Sequence, residues 1–149
     1  MKSRVLVLVA ALLAACSPSP PNATPEGAVR EFVEAMRRFH GDDLEAQKLF
    51  DLLSERARDN LRARATRYGA ASGKQITPWA MLVPSRMTPY FIPQGYTAQV
   101  VGRYALVEVA GVDAGHRAQV PCVLEDGLWR LDLVLPELPA LPHRPGSED

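Results

Sequence analysis

Hydrophobic positions change their spacing several times along this chain, and each change predicts an element. Val5 to Leu13 is an unbroken apolar run. From Ala28 the period becomes helical: Ala28, Val29, Phe32, Val33, Met36 and Phe39 share one face. Thr24-Pro25-Glu26 opens that helix with a hydroxyl cap, a proline at the first position and an acid at the positive end, and Gly41 closes it. Asp42 with Glu45 resembles a capping box for a second helix, with Ala46, Leu49, Phe50 and Leu53 on its buried side. Ser54-Glu55 starts a third, with Ala57, Leu61, Ala65 and Tyr68 facing inward.

Residues 69–95 lose this period and are rich in Gly, Ser and Pro. Thr77-Pro78-Trp79 predicts a short helix reaching Leu82, and Met87 to Ile92 a short strand or an irregular crossover. Alternation then takes over. Strands are predicted at Tyr96–Val101, Tyr104–Ala110, Arg117–Glu125 and Leu128–Leu135. Gly102-Arg103 suits a type II′ turn and Asp126-Gly127 a type I′ turn. Consecutive hairpins give an antiparallel sheet, and its apolar face requires cover from the helices. The fold class read from the pattern is therefore α+β, in one domain over residues 24–135. Pro136, Pro139, Pro142 and Pro145 stop the sheet and make residues 136–149 a tail.

Charge adds little. The chain holds 17 Lys and Arg against 17 Asp and Glu, or 15 against 17 without Lys2 and Arg4, and either balance gives no case for nucleic acid. Arg56, Arg58, Arg62, Arg64 and Arg67 on the third helix read as a solvated face offset by Glu55 and Asp59, with an anion patch as the alternative.

The first 16 residues carry a specific pattern. Lys2 and Arg4 precede the apolar run, which is shorter than the about 20 residues a permanent span needs. Leu13-Ala14-Ala15-Cys16 then resembles the lipobox of bacterial lipoproteins. That resemblance implies a signal peptide at 1–15, a diacylglyceryl group on the Cys16 thiol, and usually an acyl chain such as palmitate on the new amine. Ser17, where Asp favours inner-membrane retention, implies the outer membrane, facing the periplasm. Residues 16–23 are then a Pro-rich tether, extended at about 3.1 Å per residue. The sequon Asn22-Ala23-Thr24 is read as chance. With Cys16 lipidated, Cys122 has no partner in the chain, and its neighbours Val120, Val123 and Leu124 predict burial.

A second resemblance covers residues 24–135. Pro25-Glu26-Gly27-Ala28-Val29-Arg30-Glu31-Phe32, Leu52-Leu53-Ser54-Glu55-Arg56-Ala57-Arg58 and Asp126-Gly127-Leu128-Trp129-Arg130-Leu131 are similar to segments of the NTF2-like (SnoaL-like, cystatin-like) superfamily. It implies three helices on a curved sheet of about four strands, forming a cone. Enzymes of that superfamily place an acid or His, often with Tyr, inside the cone. The candidates here are His40, His116, Tyr90, Tyr104 and Asp132. His40 falls at a helix end and Asp132 on the strand face away from Trp129 and Leu131, toward solvent. No spacing for a metal site, P-loop or GxSxG elbow is present.

The expectation is a non-catalytic, cofactor-free envelope module. Its partners would be the membrane through its lipid, and an envelope protein or a second copy through the sheet. The alternatives are a carrier of small apolar ligands in a pocket of Trp79, Met81, Met87, Tyr90 and Phe91, or a SnoaL-like lyase, isomerase or hydrolase using His40 or Tyr90. The five pocket residues are read first as cover for the open end of the core.

Overall fold

The three long amphipathic segments form helices with the expected starts. The computed structural model describes residues 19–138; the leader, Cys16, Ser17 and the tail beyond residue 138 lie outside the described residues. Helix α1 spans Pro25–Arg38, α2 Asp43–Asp51 and α3 Glu55–Ser72. Thr24 Oγ1 accepts from the Gly27 N–H at 3.1 Å, and Asp42 Oδ1 accepts from the Glu45 N–H at 2.9 Å. Ser54 Oγ accepts from the Ala57 N–H at 3.2 Å. Each side chain satisfies an N–H that the helix itself leaves unpaired.

Four strands follow: β1 Gly95–Val101, β2 Tyr104–Ala110, β3 Arg117–Glu125 and β4 Leu128–Leu131. They pair antiparallel in the order β1-β2-β3-β4. The turns hold as read. Gly102 has φ 60°, and Asp126 and Gly127 have φ 51° and 77°, the paired positive values of a type I′ turn. Val107 and Val109 of β2 and Leu131 of β4 meet Val29, Phe32, Val33 and Met36 of α1 and Leu49 and Leu61 in one core, each at most 2% exposed. Full burial of each large side chain contributes about 1.5–3 kcal/mol. The chain is therefore α+β, with the helices on one face of a four-stranded antiparallel sheet.

Several expectations are corrected. Residues 21–23 do not continue the extended tether. Pro21–Ala23 is a 3₁₀ turn packed on α1 and β4, and Asn22 is buried within it. Tyr68 is 61% exposed, because the buried face of α3 ends at Ala65 and the last turns run past the core. The middle segment holds a 3₁₀ turn at Pro78–Met81, as read, and a four-residue helix α4 at Pro84–Met87; Thr88 to Ile92 is irregular, with no strand.

The fourth strand also stops early, at Leu131 and not Leu135. The reason lies in β3. The Asp132 N–H still donates to the Pro121 carbonyl at 2.8 Å, but Pro121 has no N–H to return. The ladder loses its reciprocal bond there, and the chain leaves the sheet.

Gly27 marks a close approach. A Cβ there would overlap the Pro21 carbonyl oxygen and crowd Thr24 Oγ1 at 2.9 Å. An alanine in a helix is ordinarily favourable by about 1 kcal/mol relative to glycine. Here Gly27→Ala is expected to lower stability by about 1–3 kcal/mol, as overpacking does. The urea midpoint measures it, and an unchanged or raised midpoint would remove the steric account.

Candidate functional site

Two features organise the surface where β4 ends. The first is a knot that ties α3 to the sheet. Leu53 bridges Leu131 in parallel, the Ser54 N–H donates to the Leu131 carbonyl at 2.8 Å, and the Leu131 N–H donates to the Leu52 carbonyl at 2.9 Å. Ser54, 1% exposed, donates its hydroxyl to Asp132 Oδ1 at 2.7 Å. Arg56 Nε donates to the same oxygen at 3.0 Å, and Arg56 Nη2 lies 2.8 Å from Asp132 Oδ2, a two-pronged pair. Asp132 is thus not a solvent-facing strand residue: its carboxylate is 22% exposed and fully engaged. Burial alone raises its pKa, but the hydrogen bonds from Arg56 and Ser54 and the Arg56 charge outweigh it and hold the carboxyl below its ordinary range.

The second feature is a groove of about 410 Å³ beside the free part of β3. Met87, Ala118, Val120, Leu133 and Leu135 give it an apolar floor and walls, and Arg86 is the one charge in its lining. It exists because β4 leaves the sheet at Asp132. Beyond that point Arg117–Val120 is paired with β2 alone. The helix pattern missed Arg86, and the strand pattern missed the open edge. The signal was Pro121 inside a predicted strand, since proline tolerates a strand only where its missing N–H has no partner to serve.

The five residues read as a pocket do not converge. Trp79 donates from Nε1 to Asp43 Oδ1 at 2.6 Å and sets its ring edge-on to Phe50 at 6.2 Å, on the α2 side. Met81 is half-buried against the core. Met87 lines the groove. Phe91 is buried and stacks on His116 at 5.2 Å with a 3° interplanar angle. Tyr90 is 83% exposed, edge-on to both rings. Four of the five cover the core, and Tyr90 stands clear of it.

Of the candidate acid–base residues, Tyr90 and His116 lie edge to edge at 5.7 Å, and the other three stand apart from them. His40 is exposed beyond the end of α1, and Tyr104 is exposed on the outer face of the sheet. His116 Nδ1 sits 3.3 Å from Asp113 Oδ2 in the β2–β3 loop. His40 and Tyr90, the two residues named for catalysis, are both exposed. Among the described residues no group of three or more His, Cys, Asp or Glu is placed to hold a metal. Two of the α3 arginines are paired with acids on their own helix: Arg58 and Arg62 reach Glu55 at 2.7 and 2.8 Å, and Arg62 reaches Asp59 at 2.6 Å; Arg64 donates to the neutral Asn60 amide at 2.6 Å. Such exposed pairs contribute about 0–1 kcal/mol each.

Cys122 is 2% exposed, as its neighbours predicted. Burial, with the negative charges of Asp132 and Glu26, pushes its thiol up to about 12. Compared with family models, curated proteins and solved structures, the chain matches none.

Two outcomes follow from these environments. A carboxyl held below its ordinary value of 3.8 stabilises the fold fully above that value, and the contribution is lost as the pH falls through the lower folded value. Asp132→Asn is therefore expected to cost about 1–3 kcal/mol at neutral pH and to flatten the acid limb of the stability profile below about pH 4. An unaltered acid limb would show that the knot does not carry this linkage. Cys122 should resist iodoacetamide at pH 8 in the native chain and react once urea unfolds it, read by peptide mapping at that residue. Native labelling at the rate of a free thiol would show that the site opens.

Proposed function

We propose that the chain is a lipid-anchored lipoprotein of the bacterial cell envelope, moored through Cys16 at the outer membrane and facing the periplasm. Its folded part, in this reading, is an NTF2-like domain that acts as a non-catalytic binding or assembly module. The charge, apolar run and small residues that precede Cys16 support the anchor. Three acyl chains hold a protein stably, since each buried CH₂ contributes about 0.8 kcal/mol and a single chain is marginal. Among the described residues no helix is long and apolar enough to cross a membrane.

The order of the elements supports the NTF2-like reading of the domain: helices first, then a four-stranded antiparallel meander covered on one face. The observation that carries the non-catalytic reading is the filled space between helices and sheet. Phe32, Met36, Leu49, Leu53, Leu61 and Leu131 occupy it, each at most 2% exposed, while the titratable candidates lie at the surface or in the knot.

Mass spectrometry of the protein from its own host tests the anchor. The expected mature N-terminus is Cys16 carrying a diacylglyceryl group, and Cys16→Ala is expected to leave the protein unacylated and out of the outer-membrane fraction. An acyl-free mature chain would sink the proposal.

A further inference from the structure

We infer that the open edge of β3, with the groove beside it, receives an extended acidic segment of a partner protein as an added strand. The inference rests on the reading of the domain as a binding module, and it names the mode and the chemistry of the partner.

The argument begins with backbone hydrogen bonds. The Gly111 N–H donates to the His116 carbonyl at 2.7 Å, and the Leu124 N–H donates to the Arg103 carbonyl at 2.8 Å. These bonds set the phase of the β2–β3 ladder. Residues 118, 120 and 122 turn their main chain toward β2; residues 117, 119 and 121 turn theirs toward β4. Because β4 ends at Leu131, only Pro121 of that second set meets it, through the Asp132 N–H. The N–H and C=O of Gln119 therefore have no backbone partner among the described residues. Gln119 itself is exposed.

An unpaired strand edge is a template for another strand, and proteins usually block it. The opposite edge of this sheet carries a guard at one position: Glu26 Oε1 accepts from the Ala98 N–H of β1 at 3.2 Å. The β3 edge has no such guard and instead borders an apolar groove. Strand addition uses that pairing of features, since main-chain bonds give affinity and alternate side chains fill pockets. Every second residue of an incoming strand would rest against Ala118, Val120 and Leu133.

Charge selects the segment. Arg86 is the one charge in the lining, and among the described residues no carboxylate pairs with it. A carboxylate on the incoming strand would complete it. The chain's own tail is a poor occupant. The Pro136 carbonyl is held by Arg64 on α3, Leu138 lies beside Tyr68, and prolines at 139, 142 and 145 lack the required N–H groups.

The test uses the full lipidated chain in a neutral detergent and a fluorescent seven-residue peptide alternating Val and Glu. Anisotropy should show saturable binding. Three losses of at least about tenfold are expected: on N-methylating the central amides of the peptide, on replacing its Glu by Lys, and in Gln119→Pro. That variant removes only the N–H turned away from β2, so the ladder stays intact, and an unchanged circular dichroism spectrum checks that it does. Gln119→Ala should bind as the parent does, and Arg86→Gln should lose the preference for Glu over Lys.

Equal binding of the N-methylated peptide, or full binding by Gln119→Pro, would overturn strand addition. A dimer in sedimentation that Gln119→Pro dissociates would overturn it in favour of a second copy. Photo-crosslinking in the host separates this inference from the reading beneath it. Crosslinks from a probe at Thr88 that peptide mapping places in an acidic segment of the captured protein, and that Gln119→Pro abolishes, support the docking site. Crosslinks only from probes elsewhere overturn the docking site and leave the binding module standing, and none from any surface overturn both.

Discussion

The structure hangs on the seam where Leu52, Leu53 and Ser54 meet the end of β4. Helices and sheet are made from separate halves of the chain, and local pairing alone does not fix how one sits on the other. The seam does so with directional bonds. Two main-chain hydrogen bonds join Leu52 and Ser54 to Leu131, and the Ser54 hydroxyl and the Arg56 guanidinium close on the Asp132 carboxylate. Ser54 takes part twice, because the same oxygen that donates to Asp132 also caps α3. The start of a helix and the end of a strand are thereby one local structure. Apolar contacts could be satisfied by several rotations of helix on sheet; hydrogen bonds of this geometry admit one.

That seam also decides what happens to the sheet. Asp132 is drawn to Ser54 and Arg56 on one side while Pro121 withholds a bond on the other, so β4 is short and the chain turns toward α3. The far end of β3 is then left with one neighbour. A structural tie on the helix side and an open strand edge on the groove side are two results of the same departure at Asp132.

Much of this was legible in the sequence. Caps and turns read well because each rests on a local property: a short oxygen-bearing side chain before a helix, or a positive φ at Asp126-Gly127. The core face of α1 read well because it is strongly periodic. What failed was non-local. The alternation of Leu131, Leu133 and Leu135 continues past the true end of β4, because those residues stay apolar against the core after the strand has gone. Tyr68 keeps the helical period of α3 although the core beneath it has ended. Asp132 looked solvated because its partners, Ser54 and Arg56, are far away in the chain. Pro121 and Gly27 did announce their constraints, yet the partner of each, Asp132 or the Pro21 carbonyl, becomes visible only in three dimensions. The aromatic residues of the middle segment were rightly read as cover for the core, apart from Tyr90.

The two margins of the sheet are unlike, and this bears on how such a molecule behaves when crowded on a surface. Endless growth by sheet-to-sheet stacking needs a donor margin and an acceptor margin on every unit. A carboxylate stationed at Ala98 of the first strand and the short bare stretch of the third leave each unit little continuous edge to offer. Edge-to-edge growth, which needs long matching margins, is disfavoured on both sides.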